Sequence, residues 1–297
     1  MKFTKMQGCG NDYIYVNGFE EQIRKELKPD LVRRLSDRHF GIGGDGVIFI
    51  NPSTEADFEM EMYNADGTRA EMCGNGIRCV GKYVYDKCLT NSDHISVISA
   101  GKVKYLDLIV EKMPGQPGDR GSVVQVRVNM GSPVMEPALI PVEARGDRVV
   151  DEPILVDGRE YRMTCVSMGN PHAVIFARDV AQMKLEQTGP LFENHVRFPK
   201  RTNTEFVEVL DRKTAFMRVW ERGTGETLAC GTGCCAAAVA CVLNGLTDNA
   251  VTVRLLGGEL LIEWDREKNL IYMTGPAVTV FEGEIEVDVL QIMNGEL

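Results

Sequence analysis

The sequence has 297 residues, which is long enough for two domains of average size. Hydrophobic residues make up 44% of it and charged residues 26%, as in proteins with a large buried core. The formal net charge of −10 would repel phosphate groups and so argues against a nucleic-acid-binding protein. The longest nearly apolar run, residues 234–243, is too short to span a bilayer, and nine scattered cysteines do not indicate a disulfide-built secreted protein. We therefore expect a cytoplasmic protein with no membrane segment.

In chain order, the first half of the sequence shows a series of strands and two helices. Hydrophobic patterning predicts strands at residues 13–16, 47–50, 58–63, 95–99, 103–110 and 123–128. A proline near the first turn indicates a helix at residues 29–37. One apolar face, formed by Ile77, Val80 and Val84, indicates a second helix at residues 74–87.

The second half of the sequence has the same kind of pattern. Strands are predicted at residues 206–209 and 216–220. Residues 231–244 are rich in Ala and Cys and are apolar on nearly every side, which predicts a buried helix. Because strands outnumber helices and each half has one central helix, the sequence predicts an α+β fold rather than a doubly wound parallel sheet.

The two halves also share short segments in the same order. Residues 72–76, Met-Cys-Gly-Asn-Gly, resemble residues 229–233, Ala-Cys-Gly-Thr-Gly, at an offset of 157 (230 − 73). Several matches at nearly constant offsets indicate an internal duplication. Two further pairs, at offsets of 159 (169 − 10) and 156 (251 − 95), are residues 10–14 with 169–173 and residues 95–102 with 251–258.

The ends of the two halves match at a smaller offset. Residues 130–133 resemble residues 274–276 at an offset of 144 (275 − 131), so the first half should contain an insertion. The turn-rich residues 113–121 are its predicted place.

Cys73 and Cys230 are the repeated cysteines, and each precedes a predicted helix within Cys-Gly-x-Gly. A helix start offers unpaired N–H groups and a partial positive charge, which lower a thiol pKa and bind carboxylates. If the halves pack about a pseudo-twofold axis, the two helix starts would face each other across one small carboxylate. A thiolate on one face of an α-carbon and a thiol on the other could then remove and return the α-proton without a cofactor.

Cysteines in cytosolic proteins are most often core residues, but the repeated position favours a function for Cys73 and Cys230. The remaining cysteines have no matched partner in the other half, and we interpret them as structural. They are Cys9, Cys79, Cys88, Cys165, Cys234, Cys235 and Cys241. A metal site is not expected, because the sequence has no Cys-x-x-Cys pair and only four histidines.

The glycine-rich residues 41–46 match Gly-x-Gly-x-x-Gly. A dinucleotide-binding motif of this kind follows a strand and opens a helix. Here the order is reversed, because a predicted helix precedes the motif and a predicted strand follows it. We therefore interpret the motif as a tight turn and expect no NAD or FAD.

The segments around both cysteines, with others along the chain, resemble those of the diaminopimelate epimerases. These segments are residues 8–12, 63–67, 72–79, 167–172, 221–233 and 272–276. The resemblance implies interconversion of LL-2,6-diaminopimelate and its meso form, for lysine and peptidoglycan precursors, with a small amino acid as substrate, no cofactor and a homodimer. It implies two similar domains, each a mostly antiparallel sheet wrapped around a central helix. The first, carrying Cys73, is residues 1–131 with 276–297, and the second, carrying Cys230, is residues 132–275.

The resemblance also implies roles for individual residues. Cys73 and Cys230 match the base and the acid. The matched clamp on the reacting carboxylate is the backbone of Gly74, Asn75, Gly231 and Thr232. Residues matched to the distal, unreacting centre are Asn64, Asn203 and Arg222, further polar contacts are Asn11, Asn170 and Glu221, and a histidine near the reacting centre is His172.

Structural explanations compete with some of these roles. An asparagine also suits a turn or a helix cap, which fits Asn75 at a predicted helix start. His172 is equally compatible with a buried, hydrogen-bonded structural histidine. Gly46 is a departure, since the family often has a substrate-contacting Gln there, and a water or a neighbouring group would have to replace that contact.

Three alternatives remain open at this stage. A proline or hydroxyproline racemase would share the two cysteines but would need no distal amino-acid centre, for which Asn64, Asn203, Glu221 and Arg222 argue. A thiol redox or sensor protein could use facing cysteines that form a disulfide. A pure binding protein would need the polar residues but not both thiols.

Overall fold

The computed structural model of the protein describes residues 1–70, 73–112 and 120–287. The chain divides into two compact units, of which unit 1 is Met1–Val128 with Gly275–Leu297 and unit 2 is Asn129–Thr274. Most of the insertion expected at residues 113–121 falls on residues 113–119, outside the described part of the chain.

In the described residues, the first part of the chain forms eight strands and two α-helices. The strands are β1 (Lys2–Gly8), β2 (Asn11–Asn17), β3 (Gly46–Asn51), β4 (Phe58–Asn64), β5 (Arg69–Ala70), β6 (His94–Ser99), β7 (Lys102–Glu111) and β8 (Ser122–Gly131). The helices are α1 (Lys28–Ser36) and α2 (Gly74–Asp86).

The remainder of the chain contributes ten strands and two helices in its described residues. The strands are β9 (Glu152–Val156), β10 (Arg159–Ser167), β11 (Pro171–Phe176), β12 (Asn203–Asp211), β13 (Thr214–Glu221), β14 (Gly225–Thr227), β15 (Ala250–Leu255), β16 (Gly258–Asp265), β17 (Leu270–Pro276) and β18 (Val278–Glu284). The helices are α3 (Leu185–Glu193) and α4 (Gly231–Leu243). Strand β18 belongs to unit 1 and pairs with β1.

Strand pairing follows the same plan in both units. In unit 1, β2 is parallel to β3, β3 is antiparallel to β4, and β4 is parallel to β6, which pairs antiparallel with β7. In unit 2, β11 is parallel to β12, β12 is antiparallel to β13, and β13 is parallel to β15, which pairs antiparallel with β16. Helices α2 and α4 follow the short strands β5 and β14 at the same place in this plan. The repeat in the sequence is thus also a repeat of topology, and the predicted α+β class is confirmed.

The core of unit 1 forms where helix α1 covers the sheet. Leu31 and Leu35 of α1 belong to one buried cluster with Val47 and Phe49 of β3. Helix α2 approaches β7 closely, since a Cβ on Gly81 would lie 2.9 Å from a methyl group of Leu108. This packing fixes the start of α2, where Cys73 lies.

The core of unit 2 is built around Phe192 of helix α3. Its ring stacks edge-to-face on Tyr161 at 5.1 Å and on Phe206 at 5.4 Å between centroids. Helix α3 was not predicted from the sequence, because it contains Gly189 and Pro190. Gly189 is needed there, since a Cβ would lie 2.6 Å from Cε3 of Trp220. Tertiary packing therefore overrides the local turn signal.

The secondary structure predicted from the sequence is otherwise present. Each predicted strand and helix overlaps an observed element, and the glycine-rich residues 41–46 join α1 to β3 as the expected turn. Within residues 1–70, 73–112 and 120–287, no helix is long and apolar enough to cross a membrane. The same residues contain no group of three or more His, Cys, Asp or Glu arranged to hold a metal ion.

Candidate active site

Cys73 occupies the N-cap position of helix α2. Its backbone is extended, with φ −125° and ψ 116°, and its Sγ accepts a hydrogen bond from the Gly76 N–H at 3.3 Å. An N-cap acceptor satisfies one of the unpaired N–H groups of the first turn and lies at the positive end of the helix dipole. The cap N–H and the helix dipole favour a thiolate at this position, whereas the Asn11 oxygen beside the sulfur favours the protonated thiol.

Asn11 connects Cys73 to a group of charged residues. The Cys73 S–H donates to Asn11 Oδ1 at 3.0 Å, and Asn11 Nδ2 donates to Asp45 Oδ2 at 2.6 Å. Asp45 in turn accepts from Arg38 at 3.0 Å, and Arg38 also pairs with Asp12. The orientation of the Asn11 amide is therefore fixed by Asp45, with its oxygen towards the thiol.

The other sequence-predicted residues of unit 1 lie at the start of α2 and at the end of β4. Gly74 and Asn75 are the first residues of α2, and both are buried. Asn64 ends β4, is half-buried, and donates from Nδ2 to the Thr68 hydroxyl at 3.1 Å.

Gly46 begins β3 and is the direct cross-strand partner of Asn64. A Cβ at position 46 would lie 2.9 Å from Cε1 of Tyr13 and far inside contact distance of the Tyr63 carbonyl oxygen. This backbone therefore has no room for any side chain, and a contact equivalent to the family's Gln cannot come from position 46.

Cys230 repeats the cap geometry of Cys73 at helix α4. Its φ is −120° and its ψ is 109°, and its Sγ accepts from the Gly233 N–H at 3.4 Å. The side chain is 6% exposed, whereas that of Cys73 is half-buried. The two thiols thus share a backbone setting but differ in their access to water.

Burial raises the pKa of the Cys230 thiol well above its usual range, and the carboxylates of Glu221 and Glu205 raise it further. The Thr232 hydroxyl, 3.5 Å from the sulfur, and the Gly233 N–H oppose this shift. Cys230 is therefore protonated at neutral pH. Burial likewise raises the pKa of Glu221, whose Oε1 accepts from the Thr227 hydroxyl at 2.5 Å.

His172 is fully buried beside the start of α4. Its Nδ1 lies 2.7 Å from Glu205 Oε1 and its Nε2 lies 3.0 Å from Asn170 Oδ1. Asn170 Nδ2 donates to the Thr232 hydroxyl at 3.3 Å. A continuous line of hydrogen bonds therefore runs from Glu205 to the hydroxyl beside Cys230.

Glu205 was not identified from the sequence, although its side chain has no exposed surface. The signal was a charged residue within strand β12, between the buried Thr204 and Phe206. Acidic residues are almost never fully buried unless they are paired, so this position indicates a specific partner.

Asn203 and Arg222 are joined in unit 2. Asn203 Nδ2 donates to the Pro171 carbonyl at 2.7 Å, and its Oδ1 accepts from the Arg222 N–H at 2.9 Å. The Arg222 side chain is exposed and donates to the Lys200 carbonyl at 3.1 Å. The Asn203 side chain therefore positions the Arg222 backbone, while the guanidinium can reach other groups.

The structure brings most of the sequence-predicted residues into two clusters. Cys73, Asn11 and the start of α2 form one in unit 1, with Asn64 on the neighbouring end of β4. The cluster in unit 2 contains Cys230, Gly231, Thr232, Asn170, His172 and Glu221, with Asn203 and Arg222 in contact with each other.

The cysteines that lack a repeat partner have a different environment. All of them except Cys88 are buried, and all nine cysteines, each within the described residues, are thiols rather than disulfides. Burial raises the pKa of Cys241 to about 12. Unlike Cys73 and Cys230, none of them is the N-cap of an α-helix in the described residues.

A family model and curated proteins match most of the chain. The family model "Diaminopimelate epimerase" matches residues 3–135 and 164–280. A curated diaminopimelate epimerase of Agathobacter rectalis is 58% identical over 294 residues, covering 97% of this chain and 100% of that protein.

Two solved structures share the fold at low sequence identity. A Bacillus anthracis phenazine biosynthesis protein of the PhzF family has a TM-score of 0.69 and 15% identity, covering 97% of this chain and 99% of its own. A probable proline racemase from Agrobacterium radiobacter has a TM-score of 0.67 and 12% identity, covering 97% and 93%. These two show the fold alone. The family model and the close relative together place the chain in the diaminopimelate epimerase family.

Proposed function

We propose that this protein interconverts LL-2,6-diaminopimelate and meso-diaminopimelate by moving a proton at one α-carbon. The observation that carries this proposal is the pair of cysteine N-caps, Cys73 and Cys230, with the same cap geometry on helices that occupy equivalent places in the two units. Curated relatives with the name diaminopimelate epimerase match nearly the whole chain, which supports the substrate assignment.

The two thiols act as base and acid. Cys230 is protonated in the free protein because its pKa is raised by burial, so it is the acid when Cys73 is the thiolate. The Cys73 thiolate takes the α-proton, and Cys230 gives its own proton to the opposite face of the carbanion. After one turnover Cys73 is the thiol and Cys230 the thiolate, so the reverse reaction uses the same groups in exchanged roles.

The α-proton of an amino acid is only weakly acidic, so the negative charge of the carbanion must be stabilised as it forms. The unpaired N–H groups at the starts of α2 and α4 are suitable donors, and each helix end adds a partial positive charge. We assign the clamp on the reacting carboxylate to the backbone of Gly74, Asn75, Gly231 and Thr232. Preorganised donors of this kind commonly provide the largest share of catalysis.

We assign the remaining polar residues to the unreacting part of the substrate and to the surroundings of the thiols. Arg222 suits the distal carboxylate, because its exposed guanidinium can bind both oxygens. Glu221 suits a substrate ammonium group. The other assigned residues are Asn11, Asn64, Asn170, Asn203 and, near the reacting centre, His172.

We also propose the organisation of the working protein. The domains are residues 1–131 with 276–297 and residues 132–275, the active form is a cytoplasmic homodimer, and the reaction needs no cofactor. Light scattering on the purified protein tests the dimer, since a monomeric mass of 33.0 kDa would contradict it.

The test of the function is incubation of the reduced protein with LL-diaminopimelate in D₂O with no cofactor added. Meso product that carries α-deuterium, while recovered substrate is still mostly protonated early on, is the expected result. Absence of meso product, with turnover of proline or hydroxyproline instead, would reject diaminopimelate as the substrate.

Variants test the roles of the thiols. Cys73→Ser and Cys230→Ser should each lose turnover while they still bind the substrate, and Cys88→Ser is the matched control because Cys88 is an exposed, unmatched cysteine. Unchanged turnover in either of the first two variants would contradict the proton-transfer assignment.

A further inference from the structure

The buried group that the proposed mechanism leaves without a role is Glu205. Its carboxylate and the His172 ring both have no exposed surface, and they lie 2.7 Å apart. Burying a carboxylate costs roughly several kcal/mol unless an opposite charge and hydrogen bonds compensate it. The buried Glu205 carboxylate therefore needs a partner, and the His172 ring nitrogen provides one.

The parallel pairing of β11 with β12 places this pair. His172 is opposite Asn203 in the register, and Glu205 is two residues further along β12, on the same face of that strand as Asn203. A Cβ on Gly233 would lie 2.8 Å from Glu205 Oε1, so the carboxylate is also directly beneath the first turn of α4. Its negative charge is favourable at that helix end.

Both ring nitrogens of His172 face oxygen acceptors. Glu205 Oε1 is at Nδ1, and Asn170 Oδ1 is at Nε2, at 3.0 Å. A neutral imidazole has one N–H donor, whereas an imidazolium has two. Two acceptors on one ring are the arrangement of the doubly protonated form, with the Glu205 carboxylate as its counter-charge.

We propose that Glu205 is a positioning residue that keeps the His172 ring protonated at both nitrogens. The ring then holds the Asn170 amide with its oxygen towards Nε2 and its NH₂ towards Thr232. Because the Thr232 oxygen accepts from that NH₂, its own hydrogen is free to donate to the Cys230 sulfur. This inference rests on the proposed function, in which Cys230 must become a thiolate in one direction of the reaction.

If His172 carried only one ring proton, the hydrogen bonds from His172 through Asn170 to Thr232 would run in the opposite direction. A neutral ring with its hydrogen on Nδ1 would turn the Asn170 NH₂ towards Nε2 and its oxygen towards Thr232. The Thr232 hydroxyl would then donate to Asn170, and the Cys230 thiolate would lose a donor. Glu205 thus acts on the thiol in two opposed ways. Its charge raises the Cys230 pKa directly, and through His172, Asn170 and Thr232 it keeps a donor on the sulfur.

Two acids of the described residues interact with the ring. They are Glu205 on β12 and, through its charge, Glu221 on β13. Of these two, Glu205 is the one within hydrogen-bond distance of the ring. Replacing Glu205 should therefore change the protonation of His172 more than replacing an acid that does not contact the ring.

The direct test is ¹⁵N NMR of the full-length protein labelled at histidine, at about pH 8, where an ordinary histidine is neutral. The His172 signals are assigned by their absence in a His172→Asn variant. We expect two protonated ring nitrogens in the wild type and one in Glu205→Gln. A wild-type His172 with a single protonated nitrogen would overturn the proposal, and this measurement needs no variant of Glu205 to fold.

The matched control is Glu208→Gln, on the same strand, where the carboxylate accepts from the Val180 N–H at 3.2 Å. It removes the same charge from β12 and should leave the His172 signals as in the wild type. A loss of the second ring proton in this variant would show that the charge of the strand, rather than Glu205, holds the ring.

Kinetics test the link to Cys230. In Glu205→Gln we expect kcat to fall about 10- to 100-fold with little change in KM, the range for one hydrogen bond to a charged group. Thr232→Val keeps the backbone N–H and removes the hydroxyl, so adding Glu205→Gln to it should cause little further loss. If the fold-losses of kcat in the two single variants multiply in the double variant, Glu205 and the Thr232 hydroxyl act independently. That result would contradict the proposal that Glu205 acts through the hydroxyl.

The proposed function and the positioning role of Glu205 can be refuted separately. If the wild type does not epimerise diaminopimelate, the proposed function is wrong, while the NMR result still decides whether Glu205 holds the His172 ring. If the wild type is active and Glu205→Gln matches it in kcat, the function stands and the positioning role is refuted.

Discussion

The buried ion pair of unit 1 gives the sharpest prediction about stability. Lys28, the first residue of α1, places Nζ 2.5 Å from Glu61 Oε2 on β4, and the two residues are 7% and 6% exposed. Glu61 also accepts from Tyr63 at 2.8 Å and from Asn51 at 3.0 Å. Replacing Lys28 by Met keeps most of the volume but leaves the carboxylate buried with only neutral donors.

The expected loss for Lys28→Met is about 3–5 kcal/mol in the free energy of unfolding at neutral pH, as for other broken buried pairs. Lys25→Met is the control, because Lys25 is exposed three residues earlier and should change stability by less than about 0.5 kcal/mol. A loss below about 1 kcal/mol in Lys28→Met would refute the view that Glu61 is charged and desolvated.

The stability contributed by the Lys28–Glu61 pair should change with pH in one direction. Burial alone would raise the pKa of Glu61, but hydrogen bonds from Lys28 and two neutral donors outweigh it and lower this pKa. The pair therefore stabilises the fold above the unfolded pKa of about 4.3, and the stabilisation is lost as the pH falls through the lower, folded pKa. The difference between wild type and Lys28→Met should narrow in acid, and a constant difference would contradict the assignment.

Urea denaturation can assign the loss to unit 1. Both tryptophans of the sequence, Trp220 and Trp264, belong to unit 2, so tryptophan fluorescence reports on that unit. Far-UV circular dichroism reports on both units. A midpoint that shifts in circular dichroism more than in fluorescence is the expected result for Lys28→Met.

Three further predictions concern the candidate site. Asp45→Ala removes the acceptor that orients Asn11 and should lower kcat/KM about ten-fold without changing the circular dichroism; equal kinetics would contradict the role of Asp45. Gly46→Ala should destabilise the fold by at least about 1–3 kcal/mol in thermal unfolding, because the new Cβ collides with the Tyr63 carbonyl, and an unchanged melting temperature would refute that geometry. Cys230 should react with iodoacetamide only as the pH rises above the usual thiol range, since burial raises its pKa. Fast alkylation of Cys230 at about pH 7, detected by mass spectrometry, would contradict the raised pKa.

The helix caps were predictable because their signal is local and occurs twice. A cysteine followed by Gly-x-Gly and an apolar helix defines both the backbone setting and the position of the sulfur, and the structure places Cys73 and Cys230 in that setting. Hydrophobic patterning predicted strands β2–β4, β6–β8, β12 and β13, but not β1, β5, β9–β11 or β14–β18. The order of helix, turn and strand at residues 41–46 was also confirmed.

The partners of the candidate residues were not predictable, because they depend on strand register. Asp45 reaches Asn11 across 34 positions of sequence, and Glu205 reaches His172 across 33. Nothing local in the sequence specifies which strands are neighbours or how they are aligned. Helix α3 was missed for a related reason, since Gly189 suits a helix only because Trp220 packs against it.

The duplicated strand plan has a consequence for how such a protein can change over time. If the two units were separate, identical chains encoded by one gene, every substitution near one thiol would also appear near the other. With both copies in a single chain, each neighbourhood mutates independently, and the two are now chemically unlike. Cys73 contacts Asn11, which links it to Asp45 and Arg38, whereas Cys230 lies near the buried acids Glu205 and Glu221. Fusion of the copies thereby permits proton affinities to diverge while the backbone beneath them is unchanged.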